Sequence, residues 1–319
     1  MEKHCHKRKL HWWINTSSSV PYITQKDGTA NRESYNLAKG KRFQHSGLEL
    51  KGRQSLFSSL GWLMTVSEDA NVIKLLHPLN RTQIKLPKNN EFKHIRSFCL
   101  SASPSLTLDF VVMVLGFDYW THWRSGQLAF CRAKDNKWTR VDTWGNEIDM
   151  YVDLTYYQEQ FYVLDVQGRV LVCDIEDRKK AKMRVVVPQI PWDIRRTPSS
   201  VDETKLHLVK SAGTLLVVIA ERSRLGFHRN MVKVFEVPFS KRDWTYSEVK
   251  NLGNRTLFLN DSGYSFSIEA YNYSHIKSNR VYYSSILCNL DKGVVSNMSI
   301  FTVDEIRDPM SCLWIQPSF

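Results

Sequence analysis

The 319-residue chain contains no apolar run close to the roughly 18 residues that cross a bilayer as a helix. Its most apolar stretches, such as Leu216–Ala220 (LVVIA), have the length of a strand. Amphipathic segments of helical period longer than about ten residues are also missing, which argues against a helix bundle. Six cysteines (Cys5, Cys99, Cys131, Cys173, Cys288, Cys312) lie far apart and form no Cys-x-x-Cys pair. Most sit in or beside apolar runs, so they are expected to be free thiols packed as small hydrophobes. No secretory signal is read at the N-terminus, so a reducing compartment is expected, the nucleus or cytoplasm. Outside the secretory route the Asn-x-Ser/Thr triplets at Asn15, Asn80, Asn254, Asn260, Asn272 and Asn297 carry no meaning.

The signatures of chemistry are absent too. There is no Gly-x-Ser-x-Gly elbow, His-Glu-x-x-His, phosphate-binding Gly-x-x-x-x-Gly-Lys loop or dinucleotide Gly-x-Gly-x-x-Gly. His4, Cys5, His6 and His11 crowd the N-terminus without a second ligand pair at zinc-finger spacing, so no metal site is expected. His94, His122, His207 and His275 are isolated and read as structural or surface residues. Asp149 and Asp153 stand roughly 13 Å apart in extended chain, too far for a glycosidase pair. The expectation is a protein that is not an enzyme and takes no cofactor.

Among the charged residues the acids are the scarcer: 44 Lys and Arg face 32 Asp and Glu, a net charge of +12. Such a balance favours an acidic partner. The basic residues are scattered rather than gathered in a tract, so association with nucleic acid is the lesser reading. Residues 1–20 are basic and then rich in Ser and Thr, and a disordered tail is expected there. Its Lys7-Arg8-Lys9 run is read as a solvated tail rather than a nuclear signal; import into a mitochondrion or chloroplast is the alternative.

The remaining text is short strands, turns and aromatics. A unit of alternating apolar runs, a polar turn and then Trp or Pro recurs in Gly61–Pro87, Phe110–Asp142, Asp153–Pro188 and Leu206–Leu259, and more loosely in Tyr264–Val303. Repeats of roughly 40–55 residues with several strands each are the mark of propeller blades. About two dozen strand candidates give about five or six blades at four strands each; a β-sandwich would have fewer. Phe110–Phe117 is apolar throughout and reads as a strand buried on both faces. Val163–Leu171 reads as a hairpin bending at Gly168. Gln25-Lys26-Asp27-Gly28, Asp202-Glu203-Thr204 and Ser211-Ala212-Gly213 read as turns, Ser101–Pro104 as a loop and Pro188–Ser200 as a long connection. Trp62, Trp138 and Trp244 are assigned to packing between blades. Strands near Tyr22 are expected to pair with those near Trp314, since an unclosed ring would leave exposed edges.

Several segments, in order, resemble the plant KIB-type β-propeller family of F-box-associated proteins. They are Ser58–Leu63 (SSLGWL), Leu76–Pro87 (LHPLNRTQIKLP), Asp153–Asp174, Leu208–Val218 (LVKSAGTLLVV), Trp244 with Asn251–Leu259 (NLGNRTLFL) and Ser265–Ser267, and Cys312–Pro317 (CLWIQP). The resemblance covers about residues 20–317. It implies a propeller over residues 21–319, monomeric and non-catalytic, that binds a protein and serves as substrate receptor of an SCF-type ubiquitin ligase. Family members carry an F-box that docks the Skp-type adaptor of the ligase. The residues before the first strand do not read as one, so the expectation is an F-box-less member or a degenerate copy, and the adaptor is in doubt. The pattern also departs at His77, Lys210 and Asn260.

Two loops stand out as candidate binding surface. Tyr119, Trp120, His122, Trp123 and Arg124 follow a buried strand and combine aromatics with a guanidinium, as interface hot spots do. Arg222, Arg224, Phe227, His228 and Arg229 interrupt two strands and suit an acidic or phosphorylated segment. The competing readings are a cover for the blade edge and a solvated hairpin tip.

Overall fold

The computed structural model describes residues 22–26, 32–36, 41–45, 53–67, 71–77, 80–89, 91–92, 94–117, 126–142, 151–177, 180–188, 202–223, 231–239, 245–260, 264–273, 276–283, 286–289, 294–297 and 313–315. These form twenty-five strands in six sheets, and the one helical element among them is a 3₁₀ turn, Ala270–Asn272. The chain is a β-propeller.

Five sheets are blades. The first holds β4 (Arg53–Ser59), β5 (Trp62–Ser67), β6 (Ile73–Leu76) and β7 (Gln83–Lys85). The second holds β8 (His94–Leu100), β9 (Val111–Phe117), β10 (Gln127–Arg132) and β11 (Thr139–Arg140). The third holds β12 (Tyr151–Tyr157), β13 (Gln160–Asp165), β14 (Val170–Asp177) and β15 (Lys180–Val187). The fourth holds β16 (Asp202–Ser211), β17 (Thr214–Ser223), β18 (Met231–Glu236) and β19 (Ser247–Glu248). The fifth departs from this meander. Its β20 (Arg255–Leu259) lies between β21 (Phe266–Glu269) and β22 (Arg280–Tyr283), running parallel to β22, and β23 (Ile286–Asn289) and β24 (Val294–Asn297) complete the sheet.

The inner strands β4, β8, β12, β16 and β21 lie against one another in that order. The backbone N–H of Tyr264, just before β21, donates to the carbonyl of Ser58 in β4 at 3.0 Å, tying the fifth blade to the first. The sixth sheet joins β1 (Tyr22–Lys26), β2 (Arg32–Asn36) and β3 (Lys41–His45) to β25 (Leu313–Ile315), which lies against β4. Ile23 pairs with Trp314, so the two ends of the chain close in one sheet as expected.

The cores sit between blades, and period-two alternation fills them. From the continuous apolar strand β9, Val112 and Val114 face the first blade while Met113 and Leu115 face the third. The same division holds in β17, where Leu215, Val217 and Ile219 pack towards the third blade and Leu216, Val218 and Ala220 towards the fifth. Strands apolar at every position are what a sheet covered on both faces requires. Trp62 and Trp138 are buried in the first interface, where Trp138 Nε1 donates to the Pro87 carbonyl at 3.1 Å. Gly116 lets β9 approach its neighbours, since a Cβ there would lie 2.7 Å from the His94 carbonyl.

Two expected turns are corrected. Asp202-Glu203-Thr204 lies within β16, paired in register with Glu221–Ser223, because the backbone ladder continues past the last apolar residue of the hairpin. Gln25 and Lys26 likewise belong to β1 and pair with Glu33 and Arg32. The bend at Gly168, with φ of 75°, and the turn at Ala212-Gly213 are as expected. Cys99, Cys131 and Cys173 are buried free thiols. The tail at 1–20, Trp244 and most of Pro188–Ser200 lie outside the described residues.

Candidate functional site

All inner strands run the same way. Leu100 N donates to Ser59 Oγ at 3.1 Å, Tyr157 Oη to the Gly213 carbonyl at 2.7 Å, and Ser211 Oγ lies 2.9 Å from Ser267 Oγ, so the strand ends sit side by side. The propeller therefore has an entry end, where inner strands begin, and an exit end, where they finish.

Towards the entry end, polar side chains from four blades meet at the axis: Arg96 and Ser97 from β8, Asp153 from β12, His207 from β16, and Asn260 just after β20. The cavity between them is about 10 Å³, room for about one water. Asp153 is buried, and its two oxygens accept the backbone N–H groups of Leu154 and Leu208, each at 2.8 Å. Burial pushes its carboxyl up to about 7, against the pull of those two amides and of Arg96. His207 packs edge-on against Tyr283, its Nδ1 3.4 Å from Ser265 Oγ. Asn260 Nδ2 donates to the Tyr264 carbonyl at 2.8 Å. With both Asp153 oxygens engaged and space for a single water among the described residues, Asp153 and His207 fasten neighbouring blades together.

The exit end is different. A cavity of about 330 Å³ opens on the axis, in the size range of small-ligand sites. Its cations are Lys210, which is exposed, and Arg255. Arg255 Nε donates to Ser211 Oγ at 3.1 Å and Ser267 Oγ at 3.0 Å, and Nη1 to Glu269 Oε1 at 3.2 Å. Leu60, Tyr264 and Phe266 supply the apolar wall.

The rim around this cavity is built of rigid turns. Leu60-Gly61, Gln158-Glu159 and Ala212-Gly213 each place two consecutive residues at positive φ, the conformation of a tight two-residue hairpin. In the second blade the turn is replaced by a loop, Ser101–Asp109. Leu106 N and Thr107 N both donate to the Ser103 carbonyl, Asp109 N to Thr107 Oγ1, and Trp62 Nε1 to Ser105 Oγ. That ordered loop holds Leu106 79% exposed and Leu108 76% exposed. Tyr271, 70% exposed, stands just beyond the end of β21. Phe239, past the end of β18, stacks on Tyr157 with ring centroids 5.9 Å apart. Of the five large hydrophobics exposed among the described residues, these four share the exit end; Val166 lies at the other.

Of the sequence candidates for a binding surface, only Arg222 is among the described residues. Arg222 is part of β17, opposite Glu203, and not of a loop. Tyr119, Trp120, His122, Trp123 and Arg124, with Arg224, Phe227, His228 and Arg229, lie outside the described residues, as do Asp149, His122 and His275. Leu106, Leu108 and Tyr271 were missed; in sequence, an apolar residue next to a strand reads as more strand.

A model of the KIB1-4 beta-propeller family matches residues 34–304. The chain belongs to that family. Among relatives of this KIB-type propeller, a putative F-box protein of Arabidopsis thaliana is 22% identical over 290 residues, 85% of this chain and 76% of that protein. The Arabidopsis F-box protein SKIP23 is 27% identical over 257 residues, 66% of this chain and 59% of that one. Against SKIP23, then, the chain spans less than two thirds of the relative's own length. Among solved structures, TolB from Acinetobacter baumannii aligns with a TM-score of 0.45 at 9% identity, over 92% of this chain and 66% of that one, too distant to carry a functional argument.

Proposed function

We propose that the chain is a non-catalytic protein-binding propeller that recognises its partner with the exit end, and that the partner is a substrate presented to an SCF-type ubiquitin ligase. The observation that carries the binding role is that Leu106, Leu108, Phe239 and Tyr271 are exposed at the same end of the propeller as the larger cavity. Exposed apolar side chains gathered at one end mark interaction sites, and a preordered loop loses little entropy on docking. The ligase role is supported by family membership and by the two Arabidopsis relatives named F-box proteins. Purification of the tagged chain from its native tissue tests both parts. Recovery of a further protein is the expected result for the binding role, and a Skp-type adaptor and cullin alongside it would support the ligase role. Recovery of a partner without adaptor and cullin would leave a binding module outside the ligase. No partner at all would overturn the binding role.

A further inference from the structure

We infer that the exit-end cavity takes an acidic side chain from an extended segment of the partner protein, with an apolar neighbour packed beside it. The inference rests on the binding role proposed above and adds the chemistry of the recognised segment. Three features of the cavity converge on it.

Its charge is positive. Lys210 and Arg255 are its charged lining residues; of the acids nearby, Glu159 stands in a rim turn, and Glu269 already accepts from Arg255 Nη1 and hydrogen-bonds the Tyr271 side chain. Its donors are arranged and only partly used. The two serines and Glu269 take Nε and one side of the guanidinium, and no described residue is bonded to Nη2 of that five-donor fork. A guanidinium fixed in this way is suited to grip a carboxylate. Leu60, Tyr264 and Phe266 add apolar lining, and the same end of the propeller carries the exposed Leu106 and Leu108. An acid alone would use the cations and waste the wall, whereas an acid beside a Leu or Phe uses both. The net charge of +12 draws an acidic segment in from a distance.

The probe is a phage-displayed library of random dodecapeptides panned on the full chain. Enriched sequences are expected to place Asp or Glu within two residues of Leu, Ile or Phe. A selected peptide, followed by fluorescence anisotropy, should bind about tenfold or more weakly to Lys210→Glu and to Arg255→Gln, and weaken with added salt. Lys210 is exposed, so Lys210→Glu should unfold at the wild-type temperature even if Arg255→Gln does not fold. Enrichment without acids, no enrichment, or affinities within about twofold of wild type for Lys210→Glu would overturn the inference. The binding role is judged separately: a tissue partner recovered equally by wild type and Lys210→Glu refutes the acidic site and leaves the role intact. Failure to recover any partner with wild type removes the role itself.

Discussion

The two ends of the axis are built from the same inner strands and spend their polar groups differently. Towards the entry end, Asp153 and His207 reach groups of the next blade and Asn260 bonds within its own, around a cavity of about 10 Å³. At the exit end, Arg255 is only partly engaged, Lys210 is exposed, and the cavity measures about 330 Å³. In the first arrangement Asp153 stabilises because both its oxygens take buried backbone N–H groups, one of them from the next blade. Groups of the second kind keep donors available to a partner. A buried polar cluster reached by four strands is therefore not by itself evidence of an active site.

The largest effect should come from breaking the entry-end cluster. Asp153→Ala leaves the N–H groups of Leu154 and Leu208 buried without acceptors, at about 1–3 kcal/mol each, and urea denaturation should register the loss. Asp153→Asn keeps one acceptor and gives a sharper test through pH. Because burial raises the Asp153 carboxyl to about 7, the folded protein holds a proton that the unfolded chain has released near pH 4. The stability tied to that proton is complete below about pH 4 and falls away as pH rises through 7. Wild type should thus lose stability relative to Asp153→Asn across that window; parallel pH profiles would show that Asp153 titrates normally.

Tyr157→Phe should cost about 1 kcal/mol, because its hydroxyl no longer reaches the Gly213 carbonyl at the exit-end turn. A similar cost is expected for Gly213→Ala. Space is open around that residue, but its φ of 79° is in the left-handed region that an L side chain disfavours. The smallest effect on stability, within about 0.5 kcal/mol, is expected for Leu106→Ser with Leu108→Ser. That double variant should nonetheless lose the tissue partner in pull-downs. A folded variant that keeps the partner would move the docking face away from this rim.

Much of the scaffold was legible because its cause is local. A strand covered on both faces must be apolar at every position, and Phe110–Phe117 announced β9 in that way. Trp62 and Trp138 lie where the repeats placed them, in the interface of the first two blades. Arg222 was misplaced because polar residues after Ala220 suggest a turn, while β16 and β17 stay paired in register to Asp202 and Ser223. The axial cluster was illegible for another reason: Arg96, Asp153, His207 and Asn260 are far apart in sequence and meet only once four blades stand in a ring. His207 read as an isolated histidine, and Asp153 as one of a pair too widely spaced for catalysis. Burial alone gives both their significance.

The pairing of Ile23 with Trp314 makes the first strands the last to find their partner. A ribosome moving at about 5–20 residues per second releases β1 long before β25 exists. For that interval β1 has an unpaired edge that invites intermolecular pairing. Once formed, the clasp brings the first and last strands together, and a circular permutant opened in the loop between β7 and β8 would make the clasp an internal hairpin, available as soon as both strands have emerged.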